Sequence, residues 1–270
     1  MPEENDDLLY YEAHGTDPSN DWILFIHGAG GSTVTWKRQV EPFKDLYNLL
    51  IIDLPGHGRM ADRPNQEKTY TFELIATKLW ALIEHLKITS IHLMGVSLGT
   101  IIALQMREMH PSRVISVILP GAIIKLNRKL RILANLSLGM AKIIGYHAFY
   151  KMSARIMMPR RNHKKSRDVF IRESQFLSIE EFKKWTSMYY NLDKTLKNLF
   201  FKKSTIPQLM VMGDQDHLFL EPASQYAALH DNTQIEIIHK CGHVVSIEKA
   251  KQFNIICLKF LSDLEAFVSE

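Results

Sequence analysis

Apolar positions along the chain group into two kinds of run. Continuous apolar stretches at 22–26, 48–54, 91–94, 114–119 and 207–212 have the length and β-branched content of strands covered on both faces. Elsewhere the apolar residues recur at helical spacing. Phe72, Ile75, Ala76, Leu79, Leu82, Ile83 and Leu86 predict a helix over 71–86, and Leu98, Ile101, Ile102, Met106 and Met109 predict another directly after residue 97. Shorter patterns predict strands at 8–12 and 234–238 and helices at 33–43 and 221–229. Ser246 is placed to cap a final helix whose apolar face is Phe253, Ile256, Phe260, Leu261, Leu264 and Phe267. Strand alternating with helix predicts an α/β fold: a mostly parallel twisted sheet with helices on both faces.

The alternation stops between residues 121 and 205, where no strand is predicted. An apolar helix or helix pair over 128–146 is interrupted near Gly139 and Gly145. A basic turn follows at 162–167. Ser178 and Glu181 have capping-box spacing, with Phe182, Trp185 and Tyr189 as an apolar stripe behind them. The chain therefore divides into a core, 1–120 with 206–270, and a helical insertion, 121–205.

Charge sharpens that division. The whole chain carries a net +4, but 121–205 holds 19 of the 33 Lys and Arg and 5 of the 29 Asp and Glu. Three readings of this basic segment stand: solvated lysines on helix faces, attraction of an anionic substrate, or peripheral contact with an anionic membrane through 130–144. No apolar run reaches membrane-spanning length, and no aromatic platform accompanies the basic residues as a nucleic-acid site would require. The acidic stretch 1–7 lacks a signal-peptide layout. With only Cys241 and Cys257, no disulfide framework is expected, and a cytoplasmic location is.

The candidate chemistry sits at the predicted strand ends, where open α/β sheets place their ligands. A strand ending at Gly95 leads through Gly95-Val96-Ser97-Leu98-Gly99 into a helix. In that context Ser97 lies on a tight strained turn with its hydroxyl exposed over a helix N-terminus. Other strand ends carry His27-Gly28-Ala29-Gly30-Gly31, Gly213-Asp214-Gln215-Asp216 and Cys241-Gly242-His243. A serine hydroxyl needs an adjacent base, and histidine needs a carboxylate to set its tautomer. Asp216 and Asp214 compete for the acid, and His243 and His239 for the base. His239, Cys241 and His243 also have the spacing of metal ligands on one strand face, though no further ligand lies close in sequence. His27 and His57 read as hydrogen-bonded loop residues, and Asp53 as a brace for the loop 55–58.

Together with Asp53-Leu54-Pro55-Gly56-His57-Gly58, these motifs resemble the α/β-hydrolase superfamily in its single-domain branch with a helical cap. The likeness covers nearly the whole chain. It implies Ser97 as nucleophile, His243 as base and Asp216 as acid, in the family's chain order. It implies an oxyanion hole from the backbone N–H groups of Ala29 and Leu98, with His27, Gly28 and Val96 against the substrate, and 121–205 as a lid. No metal and no cofactor are implied. The activity implied is hydrolysis of a carboxylic ester, lactone or thioester of a small acyl substrate, anionic or apolar-chained. C–C bond hydrolysis, elimination, perhydrolysis and a receptor-like role on the same residues are the alternatives. Met140, Met152, Met157, Met158 and Met188 are candidates to line an adaptable pocket. One departure is visible: after Pro-Gly-His-Gly many relatives continue Arg-Ser, whereas this chain has Arg59-Met60.

Overall fold

The computed structural model describes residues 8–15, 17–63, 67–126 and 144–268. Seven strands form one sheet among them: β1 (Tyr11–His14), β2 (Trp22–Ile26), β3 (Asn48–Ile52), β4 (Ile91–Gly95), β5 (Val114–Pro120), β6 (Gln208–Gly213) and β7 (Thr233–Ile238). Their order is β1-β3-β2-β4-β5-β6-β7. β1 runs antiparallel to β3, and every other pair is parallel.

The continuous apolar runs have a simple cause. Successive side chains of a strand point to opposite faces, and both faces are covered. Leu24, Ile26, Leu50, Leu93 and Val117 pack on one side beneath α2 (Phe72–His85) and α3 (Leu98–Met109). Ile23, Phe25, Leu49, Ile51 and Ile118 pack on the other, with Phe43 of α1 (Lys37–Phe43) and with Phe253, Phe260 and Leu261 of the C-terminal helix Ala250–Val268. Thr71 caps α2 by accepting from Leu74 N–H.

Four described helices lie between β5 and β6: α4 (Tyr146–Met157), α5 (Lys164–Glu173), α6 (Ile179–Ser187) and α7 (Tyr189–Phe201). They are tied to the loops at the carboxyl ends of the strands. Glu173 accepts from Ser32 Oγ at 2.7 Å after β2, Trp185 Nε1 donates to the Pro55 carbonyl at 3.0 Å after β3, and His163 Nε2 meets Gln215 Oε1 at 2.9 Å after β6. These contacts place the helices over the carboxyl ends of the strands.

Several local expectations change. The first strand is Tyr11–His14, not 8–12, because pairing with β3 (Tyr11 opposite Ile52 through His14 opposite Leu49) sets an edge strand that has no apolar run of its own. Residues 33–43 split into a 3₁₀ turn, Thr33–Trp36, capped by Ser32, and α1. The supposed basic turn at 162–167 is a 3₁₀ turn running into α5. Ser178 does cap α6 by accepting from Glu181 N–H, but the Glu181 carboxylate turns to Tyr70 and Lys184, so the reciprocal half of the box is absent. Ser246 lies inside a short helix, Val245–Glu248, with its hydroxyl buried and unpartnered, and the last helix begins after it. Most of the predicted 128–146 helix, the membrane-contact stretch 130–144 except Ile144, and Met140 lie outside the described residues, as does the side chain of Phe267. Among the described residues no helix is long and apolar enough to cross a membrane.

Candidate active site

Strand β4 turns into α3 within two residues, and Ser97 occupies the turn at φ 55°, ψ −116°. A non-glycine residue held there is strained. The turn closes only because its flanks lack side chains. A Cβ on Gly95 would lie 2.1 Å from the Gly99 carbonyl oxygen, and one on Gly99 would lie 2.4 Å from that of Ile26. Leu98 is the first residue of α3, so its N–H has no acceptor within the helix.

His243 Nε2 lies 2.9 Å from Ser97 Oγ, and His243 Nδ1 lies 2.7 Å from Asp216 Oδ2. With Nδ1–H donating to the carboxylate, Nε2 is left to accept the serine proton. Asp216 and His243 are each 1 % exposed. The other Asp216 oxygen accepts the N–H groups of Leu218 and Phe219. Burial alone raises the Asp216 pKa, but the imidazole beside it and these amides outweigh burial and hold it below the usual value. Asp214 goes elsewhere: it pairs with exposed His239 at 2.7 Å and accepts from Cys241 N–H. His239 thus turns to Asp214 and His243 to Asp216, and no group of three or more metal-ligating side chains is assembled among the described residues.

The histidine loop is held from outside the relay. Glu248, not singled out in the sequence, accepts Gly242 N–H at 2.7 Å and the Ser166 hydroxyl of α5 at 2.6 Å. Phe219 packs on the His243 ring, centroids 5.0 Å apart. Nothing in the local sequence marks Glu248, which joins the nearby Gly242 to the remote Ser166.

Beneath the site lie His27 and His57. His27 does not reach the cavity. It is fully buried, its Nδ1 donating to the Gly28 carbonyl and its Nε2 accepting Leu54 N–H. His57 Nε2 accepts Gly30 N–H at 3.0 Å and so anchors the loop that carries Ala29. Asp53 braces the same region, accepting Thr33 N–H and Arg59 N–H at 2.7 Å each, and burial pushes its pKa up to about 6.

Burial lowers the His57 pKa to about 4. Protonation is then easier in the unfolded chain, near 6.5, than in the folded one. The stability this supplies is complete above pH 6.5 and is lost as pH falls towards 4, a difference of about 3 kcal/mol for this group. Between pH 7 and pH 5, urea unfolding should show the parent protein losing more stability, net of the opposing Asp53 contribution, than His57→Gln does; equal changes in the two proteins would contradict it.

Two chambers lie at this end of the sheet, the smaller one bordered by Ser97 and the larger by its neighbour Leu98. The smaller, about 40 Å³, is bordered by Gly28, Val96, Ser97, His243 and Glu173. The larger, about 300 Å³, is bordered by Leu98, Phe149, Tyr150, Phe182, Trp185 and Phe219. Ala29, Met157 and Phe170 border both, and Met188 borders the larger. No charged side chain or histidine lines the larger chamber among the described residues.

The α/β hydrolase fold family model matches residues 21–250. The chain belongs to that family and is an enzyme of its class. A Bacillus subtilis protein named provisionally as a 2-succinyl-6-hydroxy-2,4-cyclohexadiene-1-carboxylate synthase is 25 % identical over 271 residues, covering 96 % of this chain and 97 % of that protein. The dihydrolipoyllysine-residue acetyltransferase component of the acetoin cleaving system of Cupriavidus necator is 26 % identical over 257 residues, or 88 % of this chain; the match spans 63 % of that longer protein. Among solved structures, an esterase from Exiguobacterium antarcticum superposes with a TM-score of 0.78 at 18 % identity, covering 94 % of this chain and 95 % of that one. At that identity the likeness speaks to the fold.

Proposed function

We propose that this enzyme is a serine hydrolase acting on a carboxylic ester, lactone or thioester. The observation that carries this reading is the unbroken Ser97–His243–Asp216 relay opening onto a cavity. Ser97 Oγ attacks the substrate carbonyl carbon while His243 Nε2 takes its proton. The oxyanion is held by the N–H groups of Ala29 and Leu98, the latter at the positive end of α3. His243 then gives the proton to the departing oxygen or sulfur, leaving an acyl group on Ser97. Water, deprotonated by His243, attacks that ester and releases the acid, and the proton returns to Ser97. Asp216 stays ionised throughout and steadies the imidazolium.

In this reading residues 121–205 are the cap, and they shape the substrate cavity from above. The apolar lining of the larger chamber favours an apolar acyl arm over an anionic one. The scheme uses no metal or cofactor. Two free, buried cysteines support a reducing, cytoplasmic setting.

The test is labelling with a fluorophosphonate followed by peptide mass analysis. Stoichiometric modification at Ser97, with hydrolysis of simple esters blocked in proportion, is the expected outcome. An unmodified Ser97 in protein that still hydrolyses esters would overturn the assignment. The full-length likeness to a protein named as a synthase favours one second reading, in which His243 and Ser97 serve proton abstraction. Product analysis separates the two: an acid plus an alcohol or thiol for hydrolysis, an alkene for elimination.

A further inference from the structure

The larger chamber is apolar except for a few groups, and the hydroxyls of Tyr150 and Ser153 make no hydrogen bond to the described residues. Tyr150, on α4, borders the chamber and is 6 % exposed. Its ring is surrounded by Phe149, Phe170 and Phe182, with centroids 5.4–5.8 Å away. None of these offers a conventional acceptor. No hydrogen bond reaches the Tyr150 hydroxyl among the described residues. Thr186, by contrast, borders the same chamber but turns its hydroxyl back to the Phe182 carbonyl at 2.8 Å.

The hydroxyl belongs to a buried residue on the chamber wall and makes no hydrogen bond to the described residues, so it is free to meet a ligand there. The edge of the Tyr150 ring sits against the Gly30 turn, where a Cβ would come within 3.0 Å of Tyr150 Cε1. Gly30 directly follows Ala29, whose N–H belongs to the oxyanion hole in the proposed mechanism. The edge of the Tyr150 ring thus lies beside the residue that follows Ala29, and Ala29 borders the same chamber as Tyr150.

We infer that the site takes esters or lactones whose acyl arm is an uncharged apolar chain with one acceptor oxygen near the scissile carbonyl, and that the Tyr150 hydroxyl donates to that oxygen. This rests on the serine-hydrolase reading of the same site and specifies its substrate class. The acyl arm fills the larger chamber. Its volume of about 300 Å³ leaves room for a chain of several carbons. The smaller chamber, about 40 Å³ beside His243, takes a small leaving alcohol. Tyr150 is a specificity residue in this scheme: it selects acyl arms that satisfy its hydroxyl and penalises those that leave it unpaired.

The experiment compares methyl 3-oxooctanoate with methyl octanoate, in the parent protein and in Tyr150→Phe. Acid release is followed by titration at constant pH, and thermal stability is measured alongside. The inference expects the ratio of kcat/KM values, 3-oxo over plain ester, to fall by about five- to tenfold in the variant, the worth of one neutral hydrogen bond. It also expects the melting temperature to hold, because the hydroxyl makes no bond within the protein that the variant would lose. A ratio within twofold of the parent's would overturn the assignment. So would a lowered melting temperature, which would show the hydroxyl already paired within the protein. Failure of the parent protein to hydrolyse either ester while Ser97 still takes the fluorophosphonate would overturn the substrate class alone. Failure of the labelling itself would instead remove the underlying hydrolase reading.

Discussion

Ser97→Ala is expected to lower ester hydrolysis by about 10⁵- to 10⁶-fold, the loss typical when the nucleophile of a cooperating relay is removed. His243 Nε2 then has no hydroxyl at 2.9 Å to deprotonate, and no acyl group is carried by the protein. The fold should survive, because alanine keeps the backbone turn and removes one oxygen. Ser97→Gly should be equally inactive yet more stable than the parent by about 1 kcal/mol, because glycine accepts the positive φ of 55° without the steric cost. Activity and stability thus move in opposite directions at one position. Thermal melts and initial rates on the three proteins check both. Full activity in Ser97→Ala, or a glycine variant less stable than the parent, would contradict the account of the turn.

The second large effect is on folding. Gly95→Ala should destabilise the protein by about 3–5 kcal/mol, in the range of severe overpacking. The added Cβ would meet the Gly99 carbonyl oxygen at 2.1 Å, its carbon at 2.5 Å and Thr100 N at 3.0 Å. All three are backbone atoms, so no rotamer change can relieve the contact. Either α3 moves away from the end of β4 or the turn opens, and both displace Ser97. A fall in melting temperature of roughly 10 °C, together with lost fluorophosphonate labelling in whatever folded protein remains, is the expected pair of results. A variant that folds and labels like the parent would show that the flanking glycine is not what allows the turn to close.

These two glycine-dependent statements were open to reading from the chain itself. The motif at 95–99 requires small residues at fixed positions, and the apolar run before it shows that a buried strand leads in. The central strands were legible for the same kind of reason: a strand covered on both faces has to be apolar at every position, and 22–26 and 48–52 are nearly so. β1 was misplaced because an edge strand has one neighbour and its register is set by that neighbour. The helix at Lys164–Glu173 was hidden because its covering contacts, such as Ser166 to Glu248, come from segments distant in the chain. Glu181 was read as closing its own cap, but a short path to Tyr70 and Lys184 drew its carboxylate away.

The site divides along the same line. Residue types and their order along the chain were enough to propose a serine, an acid and a histidine, because strand-end positions in an alternating α/β pattern are defined by local periodicity. The choice of Asp216 over Asp214 came from the family resemblance and not from local periodicity, since the two share one turn and differ in side-chain direction. Only the folded chain sends Asp216 to His243 and Asp214 to His239. It alone shows His27 closed off beneath the cavity, Glu248 holding the histidine loop, and Tyr150 unpaired beside Gly30. Local sequence determines how each segment coils or extends, because those preferences act over a few residues. Which side chains finally meet across 146 positions, as Ser97 and His243 do, is decided by how the layers pack.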